Sequence, residues 1–134
     1  MLDLKIHLNQ NLSEELFNIM KRCIEKCSSL PETYLFSACE KHAKDAKEEF
    51  KKNPLVDFEA AEKIAAAFAA IQGSFKSLSE EQQKALKAAM YYFALDEDED
   101  ADFESFLGFD DDVEITNVCL SFAGRDDLKV SLSL

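Results

Sequence analysis

The residues best equipped for chemistry lie between Asp96 and Asp112. Ten carboxylates (Asp96, Glu97, Asp98, Glu99, Asp100, Asp102, Glu104, Asp110, Asp111 and Asp112) occur there with no basic residue among them. Clustered oxygen ligands suit hard divalent cations, and a connection between two helices can fold around one. An EF-hand loop is the direct test of that chemistry. Framed from Asp96, the residues Asp96, Asp98 and Asp100 take the first three ligand places, but Ala101 stands where glycine makes the sharp turn and Leu107 where a bidentate glutamate belongs. Framed from Asp100, Asp102, Glu104 and Asp111 reach ligand places, yet Ser105 replaces the glycine and Asp111 is shorter than the usual glutamate. Neither frame is an EF-hand. The plain alternative is a solvated interhelical connection, whose last aspartates cap the next helix and complement its positive dipole end.

Other constellations carry less. Cys23 and Cys27, one helical turn apart, with Cys39 and His42 on a following helix, have a spacing that permits a Cys3His zinc site. Zinc knuckles and ribbons bring their ligands from tighter turns, and small thiols at core positions need no metal. Cys39 and His42 are also the one close nucleophile and base pair, but the interior of a helix offers no oxyanion hole. The carboxylates of the acidic run form a solvated crowd, without the apolar pocket that splits two pKa values into an acid and a base. With three glycines in all, no glycine-rich phosphate loop occurs. The expectation is therefore no enzyme, no resident metal and no cofactor.

The acidic run also sets the chain's electrostatics. Formal net charge is −12, and without those ten carboxylates about −2 would remain, so the acidity is local. A field of this sign repels phosphate backbones and anionic headgroups and attracts basic surfaces, which excludes nucleic acid as a partner. The longest apolar stretch, Ile64 to Ile71, is too short to span a bilayer, so no membrane insertion is expected. Met1-Leu2-Asp3-Leu4-Lys5 lacks the basic start and apolar run of a signal peptide, so the expected setting is the cytoplasm, with the four cysteines as reduced thiols.

Several elements must position these residues. At 134 residues, 47% hydrophobic and 31% charged, the chain is expected to fold as a single domain over 1–134, and two prolines with three glycines favour long helices. Leu12, Leu16, Ile19, Met20, Cys23 and Cys27 follow helical spacing after Asn11 or Ser13 as cap and end near Ser28. Ser29 to Glu32 reads as a capping box, and Leu35, Cys39, His42, Ala43, Ala46 and Phe50 continue a stripe to about Lys52. Beyond Asn53-Pro54, a third stripe runs from Phe58 through Ile64 and Phe68 to Ile71, stopped by Gly73 and rich enough in alanine for close helix packing. Ser79 to Gln82 is a second capping box, leading into Ala85, Leu86, Ala89, Tyr92 and Phe93.

Ile115, Val118, Cys119 and Phe122 predict a fifth helix, against a strand suggested by the alternation of Val118, Leu120 and Phe122. Leu2, Leu4, Ile6 and Leu8 alternate with polar residues, as do Leu128, Val130, Leu132 and Leu134, so the two ends read as strands that can pair. The expected fold is mainly α, a bundle of four or five helices with at most a small β-ribbon formed by the two termini.

Within this frame, Tyr92-Phe93, Asp98, Asp102, Leu107-Gly108-Phe109 and Asp111-Asp112 form an ungapped pattern. It resembles the core motif of the YkvA-like proteins, a widespread bacterial family of unknown function. That motif is similar in having an aromatic pair, an aspartate, an Ile-Pro-Asp step and a glycine followed by paired aspartates. The resemblance spans about residues 85–122 and departs at Ala101 and Ser105, where the family usually carries prolines. It implies a helical hairpin with aspartates at its turn, and supplies no reaction.

The functional expectation is a non-enzymatic protein-interaction module that presents its acidic interhelical connection to a basic protein partner, with Asp98, Asp102, Asp111 and Asp112 as candidate binding residues. The alternative is a divalent-cation site on the same four residues. An exposed edge of the terminal strands would in addition favour a homodimer.

Overall fold

A computed structural model describes residues 3–52, 58–95 and 110–131, and these are mainly helical. The described residues form six helices, α1 (Leu4–Asn11), α2 (Glu14–Cys27), α3 (Glu32–Lys52), α4 (Phe58–Gln72), α5 (Glu80–Ala94) and α6 (Asp110–Phe122), with 3₁₀ turns at Phe75–Ser77 and Asp126–Leu128. The described residues include no strand.

Local chemistry accounts for most of the boundaries. Ser13 caps α2 by accepting the Leu16 amide at 3.2 Å. Ser79 and Gln82 make a reciprocal capping box at the start of α5, the Ser79 hydroxyl accepting the Gln82 amide at 3.1 Å and the Gln82 side chain accepting the Ser79 amide at 3.0 Å. A box at Ser29 does not form. The Leu30 amide is used to close the end of α2 on the Cys27 carbonyl at 3.0 Å, so the chain is still turning there and α3 starts two residues later than the box requires.

The terminal ribbon is the expectation that the structure overturns. Residues 4–11 are helix α1, because Asp3 accepts the Lys5 amide at 2.8 Å as an N-cap, and Leu4 and Leu8, four apart, fall on one face and are both buried. Alternation over seven residues contains that same i, i+4 pair, so periodicity alone could not separate the two readings. Ile6, which a one-faced strand would bury, is 56% exposed. At the other end, Leu128 closes a 3₁₀ turn and residues 129–131 form no strand, while Leu2, Leu132 and Leu134 of the expected ribbon lie outside the described residues. The homodimer expected from an unpaired strand edge loses its basis.

Helix α5 is the centre of the packing, lying against α2, α3 and α6, with α4 against α3 and α1 bridging α2, α5 and α6. One continuous core runs from Leu4 to Val130 and takes side chains from all six helices. Its largest fully buried members include Phe68, Phe75 and Phe93, each of the kind that contributes about 1.5–3 kcal/mol on removal from water. Within α3 the expected stripe holds for Leu35, Cys39 and Ala46, but Phe50 is 41% exposed.

The end of α6 is closed by a Schellman arrangement. The Arg125 amide donates to the Leu120 carbonyl at 2.8 Å and the Gly124 amide to the Ser121 carbonyl at 3.0 Å, with Gly124 at φ 76°. This left-handed position favours glycine for conformational reasons alone, since a Cβ there would meet nothing within 4 Å.

Candidate functional site

The acidic run connects α5 to α6, two helices packed against each other. Of its residues, those from Asp96 to Phe109 lie outside the described residues, and so do the candidates Asp98 and Asp102. The remaining two candidates are separated by their helix. Asp111 is exposed in the first turn of α6, whereas Asp112, one step of about 100° further round, is 2% exposed and faces inward. Carboxylates at this end of α6 are favoured by the positive end of the helix dipole.

Asp112 opens a short polar strip on the buried side of α6. One turn on, Thr116 is fully buried and its Oγ1 has no hydrogen-bond partner among the described residues, an arrangement that costs on the order of 1–3 kcal/mol. Across from this strip, Cys39 of α3 sits with its Sγ 3.8 Å from the Met90 carbonyl. Burial drives the Cys39 thiol well above its ordinary range, and the negative charge of Asp112 pushes in the same direction. Cys39 is thus held as a neutral thiol, the opposite of what a nucleophile needs. His42, one turn along α3, packs its ring edge-on to Phe93 with centroids 4.9 Å apart.

The other thiols are of the same kind. Cys23, Cys27, Cys39 and Cys119 are all buried, and none of them is in a disulfide. Burial pushes Cys119 up to about 12 and also raises Cys27. The Cys23, Cys27, Cys39 and His42 set is not assembled, and no group of three or more His, Cys, Asp or Glu side chains among the described residues could hold a metal ion. His7, expected on a strand, instead anchors α1: its Nε2 donates to the Val118 carbonyl at 3.2 Å and its ring packs against Phe122 at 5.2 Å.

Two of the surface depressions among the described residues bear on function. A cleft of about 370 Å³, walled by Tyr34, Ser37, Lys41, His42 and Asp45 of α3, meets Ala94 and Leu95 where α5 ends, so it lies at the root of the acidic connection. Lys41 and Asp45 pair across one turn of its wall at 3.0 Å. A second groove of about 400 Å³ runs between α3 and α4. The sequence reading assigns no site here, since it takes the alanines of α4 only as allowing close helix packing. The signal was there in Phe50 and in the surplus of alanines on α4, more than one buried face can use.

No helix among the described residues is long and apolar enough to cross a membrane. Comparison with protein-family models, with curated proteins and with solved structures found no match to this chain.

Proposed function

We propose that the chain is a non-enzymatic helical interaction module, in which the α5–α6 hairpin holds an acidic connection toward a basic protein partner. The observation that carries this reading is the concentration of ten of the chain's carboxylates in one interhelical connection. A focused field of one sign speeds encounter with an oppositely charged surface and orients it. The packing of α5 on α6 supports it by bringing both ends of the run to a common scaffold. We extend the proposal to kinship with the YkvA-like proteins, whose motif implies such a hairpin, and to a cytoplasmic setting in which buried thiols stay reduced. A divalent-cation site on Asp98, Asp102, Asp111 and Asp112 is the competing reading.

The test is binding of a lysine-rich peptide, measured by fluorescence anisotropy at low and high salt. Affinity is expected to fall about tenfold or more as the Debye length shrinks from about 30 Å to about 8 Å. It is also expected to be lost when Asp98, Asp102 and their acidic neighbours are replaced by the corresponding amides. Binding that is indifferent to salt, or that survives those replacements, would refute the proposal.

A further inference from the structure

The α3–α4 groove is an apolar depression on a strongly acidic molecule, and its own charges cancel. Its floor is made by Phe36, Phe68 and alanines of α4, and the charged residues around it are Glu40, Lys44, Lys47 and Glu62, two of each sign. Ala66, Ala69 and Ala70 are exposed along α4, and Phe50 is exposed beyond the groove's end with its ring 5.7 Å from that of Phe58. Most of the net charge of −12 comes from the run between Asp96 and Asp112, and the charges around this groove balance, so this face adds no net repulsion between copies.

The order of residues along this face of α3 is self-complementary. Phe36, Glu40, Ala43, Lys47 and Phe50 follow one another at helical spacing, so that a phenylalanine stands two turns on either side of Ala43 and opposite charges stand about one turn on either side. A twofold axis passing near Ala43 exchanges the two phenylalanines and sets Glu40 of one copy against Lys47 of the other, twice. The same axis falls near Ala65 and Ala66 on α4, where small side chains allow close approach. Glu40 already pairs with Lys44 of its own copy at 3.3 Å, an exposed pair, and across the axis its carboxylate is shared between that lysine and Lys47 of the second copy.

We infer that the α3–α4 face is a self-association surface, in which two copies of this chain pack antiparallel across the groove with reciprocal Glu40–Lys47 pairs. The surface is small. Fifteen residues of α4 extend about 22 Å, and two helices side by side are about 20 Å wide, so the two copies together bury roughly 900 Å², the size of a weak, transient contact. Self-association that is weak and concentration-dependent is expected, with the rim charges setting register more than strength.

Sedimentation equilibrium of the full chain from about 1 µM to about 1 mM tests this. The wild-type weight-average mass should rise with concentration from 15.1 kDa toward twice that value. Ala66→Arg, which places like charges on the axis at an exposed position, should hold the protein monomeric with an unchanged circular dichroism spectrum. Glu40→Lys and Lys47→Glu should each weaken self-association about tenfold, and an equimolar mixture of the two should recover it as a heterodimer, because the surviving pairs are then again opposite in sign. A monomer at every concentration, a dimer that tolerates Ala66→Arg, or two charge variants that fail to complement each other would overturn the inference.

Discussion

Asn117 and Val130 exchange a complete pair of hydrogen bonds: the Val130 amide donates to Asn117 Oδ1 at 2.7 Å, and Asn117 Nδ2 donates to the Val130 carbonyl at 3.0 Å. A side-chain amide here does for residues 129–131 what a neighbouring strand does in a sheet, and holds Val130 in the core. Lys63 adds a bond from α4 to the Ser131 carbonyl. Asn117→Ala is expected to cost about 1–3 kcal/mol, since two partly buried backbone groups lose their partner. Amide exchange at Val130 should become fast while the protection of α5 is retained, and a slow Val130 amide in this variant would contradict the role.

The buried thiols make alkaline stability a readable quantity. In the unfolded chain a thiol titrates near 9.0, whereas burial pushes Cys119 up to about 12 and raises Cys39 and Cys27 as well. The native state keeps protons that the unfolded state sheds above pH 9, so the stabilisation is whole below that pH and declines as the pH climbs toward 12. The slope is up to about 1.4 kcal/mol per pH unit for each such thiol. Denaturant melts at a series of pH values should show the decline, and Cys119→Ala should make it shallower. At pH 8 a thiol reagent should label the native protein only as fast as it unfolds, so immediate labelling of all four cysteines would sink this account.

Gly124→Ala forces a β-carbon into left-handed backbone at the end of α6 and is expected to cost about 1–2 kcal/mol. Gly124→Asn should cost clearly less, because asparagine tolerates that region. Nothing lies within 4 Å of the added carbon, so equal losses in the two variants would point to something other than backbone conformation.

Divalent cations separate the two readings of the acidic connection. Ten carboxylates without a glycine turn or a bidentate glutamate in register should attract cations weakly and without selection. Calcium, magnesium and manganese are therefore expected to shift the melting temperature no more than sodium does at matched ionic strength, and Asp102→Asn or Asp111→Asn should change little. A saturable, ion-selective rise that disappears in either variant would establish the cation site in place of the interaction surface.

Four helices were legible in the residues themselves. Apolar side chains at i, i+3 and i+4, Ser13 ahead of α2 and the Ser79–Gln82 box ahead of α5 act within one or two turns, so no distant neighbour was needed to place them. Three matters were decided only in three dimensions. Leu4 and Leu8 satisfy a strand and a helix alike, and α1 is helical because the side chains that receive them come from other helices, with His7 reaching Val118 more than a hundred residues away. The β-branched Val113, Ile115, Thr116 and Val118 lean toward a strand, yet packing on α5 and the Gly124 closure hold them in α6. Asp111 and Asp112 are chemically identical neighbours, and which of them meets solvent depends on the rotation of α6 about its axis. That rotation is set by the face that α5 covers, a relationship between helices that no local pattern of residues contains.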